Sequence, residues 1–453
     1  MSSEVEVDVA VVGLGPGGEA VASDLARGGL DVVGIEKNLV GGECPYYGCI
    51  PTKMMIRAAD LLAEGSRIPG MAGDSSVNPD WSPVAKRIAE EATTDWDDTV
   101  AVDRLTDTGA RFVRGRGELA GPRTVTVDGQ TFTARKGVVL NTGTDPAVPL
   151  IAGLAETPYW TNRDAVQLTE LPASLIVIGG GAIGLELCEA FARFGVQVTV
   201  IEVADRLLAA EEPEASTLIA DVFAREGIQV LAGAEISRVS YADGQFTVAV
   251  GDQTVMADKL LVAAGRRTNL PDVGLDTVGL DPNARTLDTD PWMRAGDGLW
   301  AVGDITGKGA FTHMSMYQAD VAVRDILGTG GPEADYRAVP RVTFTDPEVG
   351  AVGLTEQQAR DAGLTVRVGQ AEVPSSARGW IHQAGNDGLV KLVEDTDRRV
   401  LVGATSAGPN GGEVLAALTL AVHAQVPTDT LRSMVYAFPA FHRAIEDALS
   451  TLP

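Results

Sequence analysis

A chain of 453 residues is longer than one ordinary core supports and points to about three domains. Its 45% hydrophobic and 22% charged content is that of a folded globular protein, and no apolar run is long enough to span a bilayer. With 62 acidic against 36 basic residues and a formal charge of −26, its field repels nucleic acid and anionic membrane surfaces, so neither is expected as a partner.

The chain opens MSSEVEVDVAVVG, with acids where a signal peptide carries lysine or arginine, so a cytoplasmic location is expected. The stretch EVDVAVVGLGPGGEAVASDLARGGLDVVGIEK then reads strand, glycine turn, helix, strand. Gly13, Gly15 and Gly18 have G-x-G-x-x-G spacing and Glu36 ends the second strand. The glycines permit a tight turn and close backbone approach, a pyrophosphate meets the helix N-terminus, and the acid accepts ribose hydroxyls.

Next comes GGECPYYGCIPTKMMIRAADLLAEG, with Cys44 and Cys49 at the start of a helical pattern. Three cysteines are too few for a structural disulfide framework in a chain this long, so a pairing here points to chemistry. In a regular helix, residues five apart lie roughly 8 to 9 Å apart at Cα, beyond the ~7 Å limit for a disulfide. Pairing therefore requires a break, for which Pro45 and Gly48 are the agents. Helix N-terminal dipoles and Lys53 would favour a thiolate; the competing reading is two ordinary buried cysteines. The acidic stretch GMAGDSSVNPDWSP is a loop within the first domain.

The first pattern recurs in SLIVIGGGAIGLELCEAFARFGVQVTVIEVADRLL, through Gly179, Gly181, Gly184 and Glu202. In both units the acid lies 23 positions after the first glycine. One G-x-G-x-x-G is weak, but two complete strand-turn-helix-strand-acid units point to two dinucleotides, and hence to a hydride moving from a nicotinamide to a flavin. The first unit is assigned to FAD. At the second, Glu202 suits a free 2′-hydroxyl and repels a 2′-phosphate, favouring NAD(H) over NADP(H); Arg206 is the group that could reverse this. Cys188, inside the second unit's helix, reads as a packing cysteine. Further on, GEVLAALTLAVHAQVP has helical apolar spacing and packs within the C-terminal domain. Histidines 313, 382, 423 and 442 stand singly, so no metal site is expected.

With these residues in place, the chain resembles the class I flavoprotein disulfide reductases, the group that contains dihydrolipoamide dehydrogenase, glutathione reductase, mycothione reductase and mercuric reductase. GGECPYYGCIPTK is similar to the family's redox-active disulfide motif. The resemblance implies that Cys44 is the interchange thiol meeting substrate and Cys49 the thiolate facing the flavin. It implies an ion pair of Lys53 with Glu186 beside the flavin's reactive edge. It places Thr142 and Gly143, in NTGTDPAVP, and Gly303 and Asp304, in GLWAVGDITG, at FAD, and Gly265, in LVAAGRRTN, at NAD. It implies an α/β fold of two Rossmann-like dinucleotide-binding domains plus a C-terminal α+β dimerisation domain. The expected divisions are an FAD domain at 1–149, an NAD(P) domain at 150–269, an FAD-side return at 270–336 and an interface domain at 337–453. The last implies a homodimer with shared active sites.

The chain departs from the family near its C-terminus. Where a His-Pro-Thr-x-x-Glu acid/base dyad is usual, YAFPAFHRAIEDAL puts Phe438, Ala440 and Arg443 in the histidine, threonine and glutamate positions. His442 and Tyr436 are the substitute proton donors, with a solvent-facing helix histidine the equal alternative for His442. Glu43 replaces the threonine before the first cysteine and would oppose a thiolate if it faces the pair. The chain ends STLP without a cysteine pair and no metal-binding segment precedes the first unit, which disfavours mercuric reduction. The expected activity is an NAD(P)H:disulfide oxidoreductase acting on a small oxidised substrate, in which electrons pass from NADH through FAD to the Cys44–Cys49 disulfide. The alternatives are a diaphorase that reduces quinones or metals directly from the flavin, and a non-catalytic redox-sensing dimer.

Overall fold

The fold was established from a computed structural model that describes residues 4–453. The chain divides into two compact units that interleave along the sequence. The first comprises residues up to Pro51, Lys86–Pro146 and Arg266–Tyr336; the second comprises Thr52–Ala85, Ala147–Gly265 and Arg337–Pro453.

In the first unit, strand β1 (Glu4–Val12), helix α1 (Pro16–Arg27) and strand β2 (Val32–Glu36) form the expected strand-helix-strand. β1 pairs in parallel with β2 on one side and with Gln130–Leu140 on the other, so the sheet order reverses at the end of β1. Such a switch point leaves a crevice outside the strand ends, where α/β sheets bind ligands. Val9, Val11 and Val32 are fully buried and pack with Val21 and Leu25 of α1. Continuous apolar runs in β1 and β2 are what a sheet covered on both faces requires.

A one-turn helix and a long one follow. α2 (Glu43–Tyr46) stops at Tyr47, and α3 (Cys49–Arg67) starts after Gly48. The expected break therefore lies between the cysteines. A Cβ on Gly48 would stand 3.2 Å from the Glu43 carbonyl oxygen and 3.5 Å from the Cys44 Cα, so the missing side chain lets the two turns close on one another. The loop at 70–81 sits where the sequence put one, and it groups with the second unit.

The second unit holds a parallel sheet of order Gln229–Leu231, Gln197–Ile201, Ser174–Ile178, Lys259–Val262, with the helix Ala182–Arg193 following Ser174–Ile178. It also holds a five-stranded antiparallel sheet formed by Pro340–Thr343, Glu348–Gly353, Val366–Glu372, Leu389–Asp395 and Val400–Gly408. The helix Gly411–His423 covers that sheet through Val414, Leu415 and Leu418, the packing its apolar spacing predicts. Lys391 of the antiparallel sheet is only 3% exposed and meets Glu212 at 2.9 Å, Glu214 at 2.8 Å and Glu356 at 3.2 Å. A lysine so buried requires such partners. The observed α/β architecture, two dinucleotide-type sheets built on parallel strands and a C-terminal domain with an antiparallel sheet, is the one the sequence implied.

The two nucleotide-type turns are superposable in their constraints. Gly13 and Gly179 take φ of +89° and +118°, and a Cβ on Gly18 or Gly184 would fall 1.9 or 2.2 Å from the carbonyl oxygen of Gly13 or Gly179. Gly181 has nothing within 4 Å of its would-be Cβ and an ordinary negative φ. Gly184→Ala should therefore destabilise the protein by about 1–3 kcal/mol in urea unfolding, and Gly181→Ala by less than about 0.5 kcal/mol.

Candidate active site

The first dinucleotide turn ends at Gly15, which caps α1 without any side-chain hydrogen bond to the helix N-terminus. Glu36 is buried and accepts from the Leu14 amide at 2.8 Å and the Asn38 amide at 2.7 Å. It thus holds the turn in shape, and a carboxylate retains further acceptor capacity for a ribose. The Thr142 hydroxyl is buried without a hydrogen-bond partner, which is the mark of a group awaiting a ligand. Asp304 accepts from the Thr144 hydroxyl at 2.6 Å. Gly143 and Gly303 adopt φ of +64° and +81°, turning the backbone beside Thr142 and Asp304. The start of α1, a buried hydroxyl without a partner and the two carboxylates, Glu36 and Asp304, fit a dinucleotide such as FAD.

In the second turn Glu202 repeats the arrangement, accepting from the Gly180 amide and, at 2.7 Å, from the Ala204 amide. Gly181 caps its helix without a side-chain hydrogen bond, and Gly265 has φ of +115° with no atom within 4 Å of a would-be Cβ. Arg206 is engaged elsewhere: its guanidinium donates to the carbonyls of Leu208, Ala209 and Glu211 at 3.2, 2.8 and 2.9 Å.

Cys44 and Cys49 stand as thiols joined by a side-chain hydrogen bond across the helix break. That bond, with burial behind it, pushes the Cys44 thiol far above its ordinary range. Cys49 is the first residue of α3, and its Sγ lies 3.6 Å from the hydroxyl of Thr312, the first residue of the helix Thr312–Leu327. Two helix N-termini therefore address one sulfur, and both favour negative charge there. Thr312 was not legible in advance, because nothing local marks a threonine 263 residues away as a thiol neighbour.

Within the second unit, Lys53 Nζ meets Glu186 Oε2 at 2.6 Å, as the family resemblance implied. Glu186 is 5% exposed, and its other oxygen accepts from the Phe344 amide at 2.9 Å. The Phe344 ring lies 4.6 Å from Lys53 Nζ. One turn along the same helix, Glu189 accepts from the Asp346 amide, and Arg193 bridges Glu189, Asp346 and Asp60 at 3.1, 2.9 and 2.9 Å. Lys53 and Asp60 on α3 thus pair with Glu186 and Arg193 at the same seven-residue interval. This second ionic layer was missed because its acids carry no motif.

The C-terminal segment lacks the usual dyad in three dimensions as well. Phe438 is 70% exposed, and the Arg443 guanidinium lies 5.6 Å from its ring. Tyr436 is buried and its hydroxyl donates to the Leu431 carbonyl at 3.1 Å. The His442 ring lies 6.4 Å from that of Tyr436. Among the described residues no group of three or more His, Cys, Asp or Glu side chains is arranged to hold a metal, and no helix is long and apolar enough to cross a membrane.

Comparison with known proteins agrees with this geometry. Residues 7–325 match the family described as pyridine nucleotide-disulphide oxidoreductase, and residues 339–449 match its dimerisation domain. The chain is 33% identical to a dihydrolipoyl dehydrogenase of Halobacterium salinarum, across 97% of this chain and 95% of that protein. It is 30% identical to a mercuric reductase of Acidithiobacillus ferrooxidans, across 98% and 82%. Among solved structures, the HOCl-induced flavoprotein disulfide reductase RclA from Escherichia coli superposes with a TM-score of 0.86 at 26% identity, covering 98% of this chain and 99% of that one.

Burial, together with the nearby Asp346 and Glu348 charges and against the pull of Arg193, lifts the Asp60 carboxyl to about 6. A carboxyl raised on folding contributes stability that is present below about pH 4 and lost as pH rises through 6. Asp60→Asn should remove that decline from a thermal-unfolding profile taken between pH 4 and 7, leaving the rest of the profile in place.

Proposed function

The chain belongs to the pyridine nucleotide-disulphide oxidoreductase family, whose members use FAD and a pyridine nucleotide, and from that premise we propose that it is an NADH-dependent homodimeric reductase working through a Cys44–Cys49 disulfide. The observation that carries this is the pair itself: two cysteines brought into hydrogen bond by a helix break, with helix N-termini converging on Cys49. FAD, when bound, supplies the two-electron chemistry between nicotinamide and disulfide. The residues Gly13, Gly15, Gly18, Glu36, Thr142, Gly143, Gly303 and Asp304 would hold it, and Gly179, Gly181, Gly184, Glu202 and Gly265 would hold NADH.

Within the reduced pair, the helix N-terminus at Cys49 favours negative charge there, while the hydrogen bond to Cys49 and burial push the Cys44 thiol up. Cys44 then gives up its proton to water, its thiolate attacks one sulfur of a small disulfide, the S–S bond breaks, and a first thiolate leaves. Cys49 attacks the Cys44 sulfur of the mixed disulfide, releasing the second thiol and reforming the pair. Proton delivery usually contributes about 10² to 10⁴ in rate. Here Tyr436 spends its hydroxyl on Leu431, and Phe438 and Arg443 occupy the dyad positions. Disulfides with acidic leaving thiols, which depart without a proton, suit such a site best. His442, whose ring lies beside that of Tyr436, is the residue we assign to supply a proton where one is needed.

Two further observations bear on cofactor and assembly. Arg206 is committed to three carbonyls, so Glu202 faces a 2′-substituent uncompensated, which favours NADH. Trp380, Val435 and Phe438 are 70%, 93% and 70% exposed in the segment matching the dimerisation domain, an apolar surface suited to a second copy.

The replaced dyad also favours a second reading, direct reduction of a quinone or metal acceptor. Cys44→Ser separates the two. Disulfide turnover with NADH should fall at least about 10³-fold while reduction of a quinone by the same preparation stays within about twofold. Loss of both together with flavin retained, or retention of disulfide turnover, contradicts the proposal.

A further inference from the structure

The residue before Cys44 is Glu43, a carboxylate that opposes a thiolate wherever it faces one. Its partner is Arg266, whose Nη2 lies 3.4 Å from Glu43 Oε2, with the two side chains 18% and 26% exposed. Exposed ion pairs contribute little because both side chains wander. Arg266 does not: its Nε donates to the Thr144 hydroxyl at 2.6 Å and its Nη2 to the Thr144 carbonyl at 2.7 Å. The same hydroxyl donates to Asp304 at 2.6 Å.

Position in the chain gives this relay its meaning. Thr144–Pro146 is the last segment before the chain leaves the first unit, and Arg266–Thr268 is the segment on which it returns. The two strands pair antiparallel, Arg266 opposite Pro146 and Thr268 opposite Thr144. Arg266 therefore clasps outgoing and returning strands and extends the clasp to Glu43 on one side and, through Thr144, to Asp304 on the other.

We propose that Arg266 is a positioning residue for the redox pair, acting through Glu43: it binds that carboxylate to the strand ribbon and so keeps it from opposing the thiolate. The inference rests on the cysteine pair being the working centre. Thr312 on the helix Thr312–Leu327 also meets Cys49, with His313 next to it in sequence and Lys53 four positions after Cys49. None of them changes in the variants below.

The test is the pH dependence of thiolate formation in the reduced holoprotein, read as the iodoacetamide alkylation rate of Cys44 and Cys49 resolved by mass spectrometry. It is applied to wild type, Arg266→Gln, Glu43→Gln and the double variant, with the thermal midpoint of each recorded. Arg266→Gln should raise the alkylation midpoint by about half a pH unit or more. In the Glu43→Gln background the same change should be less than half as large. An unmoved midpoint, or an equal shift in both backgrounds, overturns the inference. If Arg266→Gln does not fold, Glu43→Gln alone decides: an unchanged midpoint supports the clasp, and a lowered one, which would show the carboxylate still opposing the thiolate with Arg266 in place, overturns it. Absence of a long-wavelength thiolate-to-flavin absorbance in reduced wild type would count against the functional reading instead, since alkylation reports on the clasp without it.

Discussion

Two cysteines five positions apart cannot meet inside a continuous helix, and the rest of this site depends on how that constraint is met. The chain ends one helix at Tyr46 and begins another at Cys49, with Gly48 supplying the clearance. The break does more than shorten a distance. It makes Cys49 the first residue of a 19-residue helix and leaves Cys44 partly buried in the one-turn α2, so the two sulfurs, chemically identical, stand in different surroundings.

A similar economy governs the ionic framework of the second unit. Glu186 and Glu189, one turn apart, each accept a backbone amide from the segment Phe344–Asp346 and each meet a cation, Lys53 or Arg193. Such buried pairs are weak contributors to net stability but costly to break, by about 3–5 kcal/mol. Their effect is to fix one arrangement of α3, the helix Ala182–Arg193 and the C-terminal domain, which orients the lysine that follows the redox motif.

Features carried by short-range pattern were legible in the sequence. Both glycine turns, their acids and the need for a break between the cysteines follow from spacing, because backbone clearance and helix geometry are local. The Lys53–Glu186 pair came only by family resemblance, and the structure places the two together. What pattern could not reach are contacts between residues far apart in sequence: Thr312 at Cys49, Arg266 at Glu43, and Asp60 at Arg193. The charge of Glu43 is visible in the sequence but its partner is not, and neither is the commitment of Arg206 to three carbonyls. Domain division behaves in the same way. The segment Thr52–Ala85 follows the first nucleotide turn in sequence yet groups with the second unit, since one helix begins in the first and continues into the other.

The central claim is that electrons from a nicotinamide reach the Cys44–Cys49 pair in this chain. Its most direct test is an anaerobic NADH titration of the oxidised holoprotein, with thiols counted by mass-resolved alkylation at each step. The account predicts that the first hydride equivalent yields two alkylatable thiols per chain, at Cys44 and Cys49, before the flavin bleaches. Bleaching with the first equivalent, and no thiols formed, would contradict it.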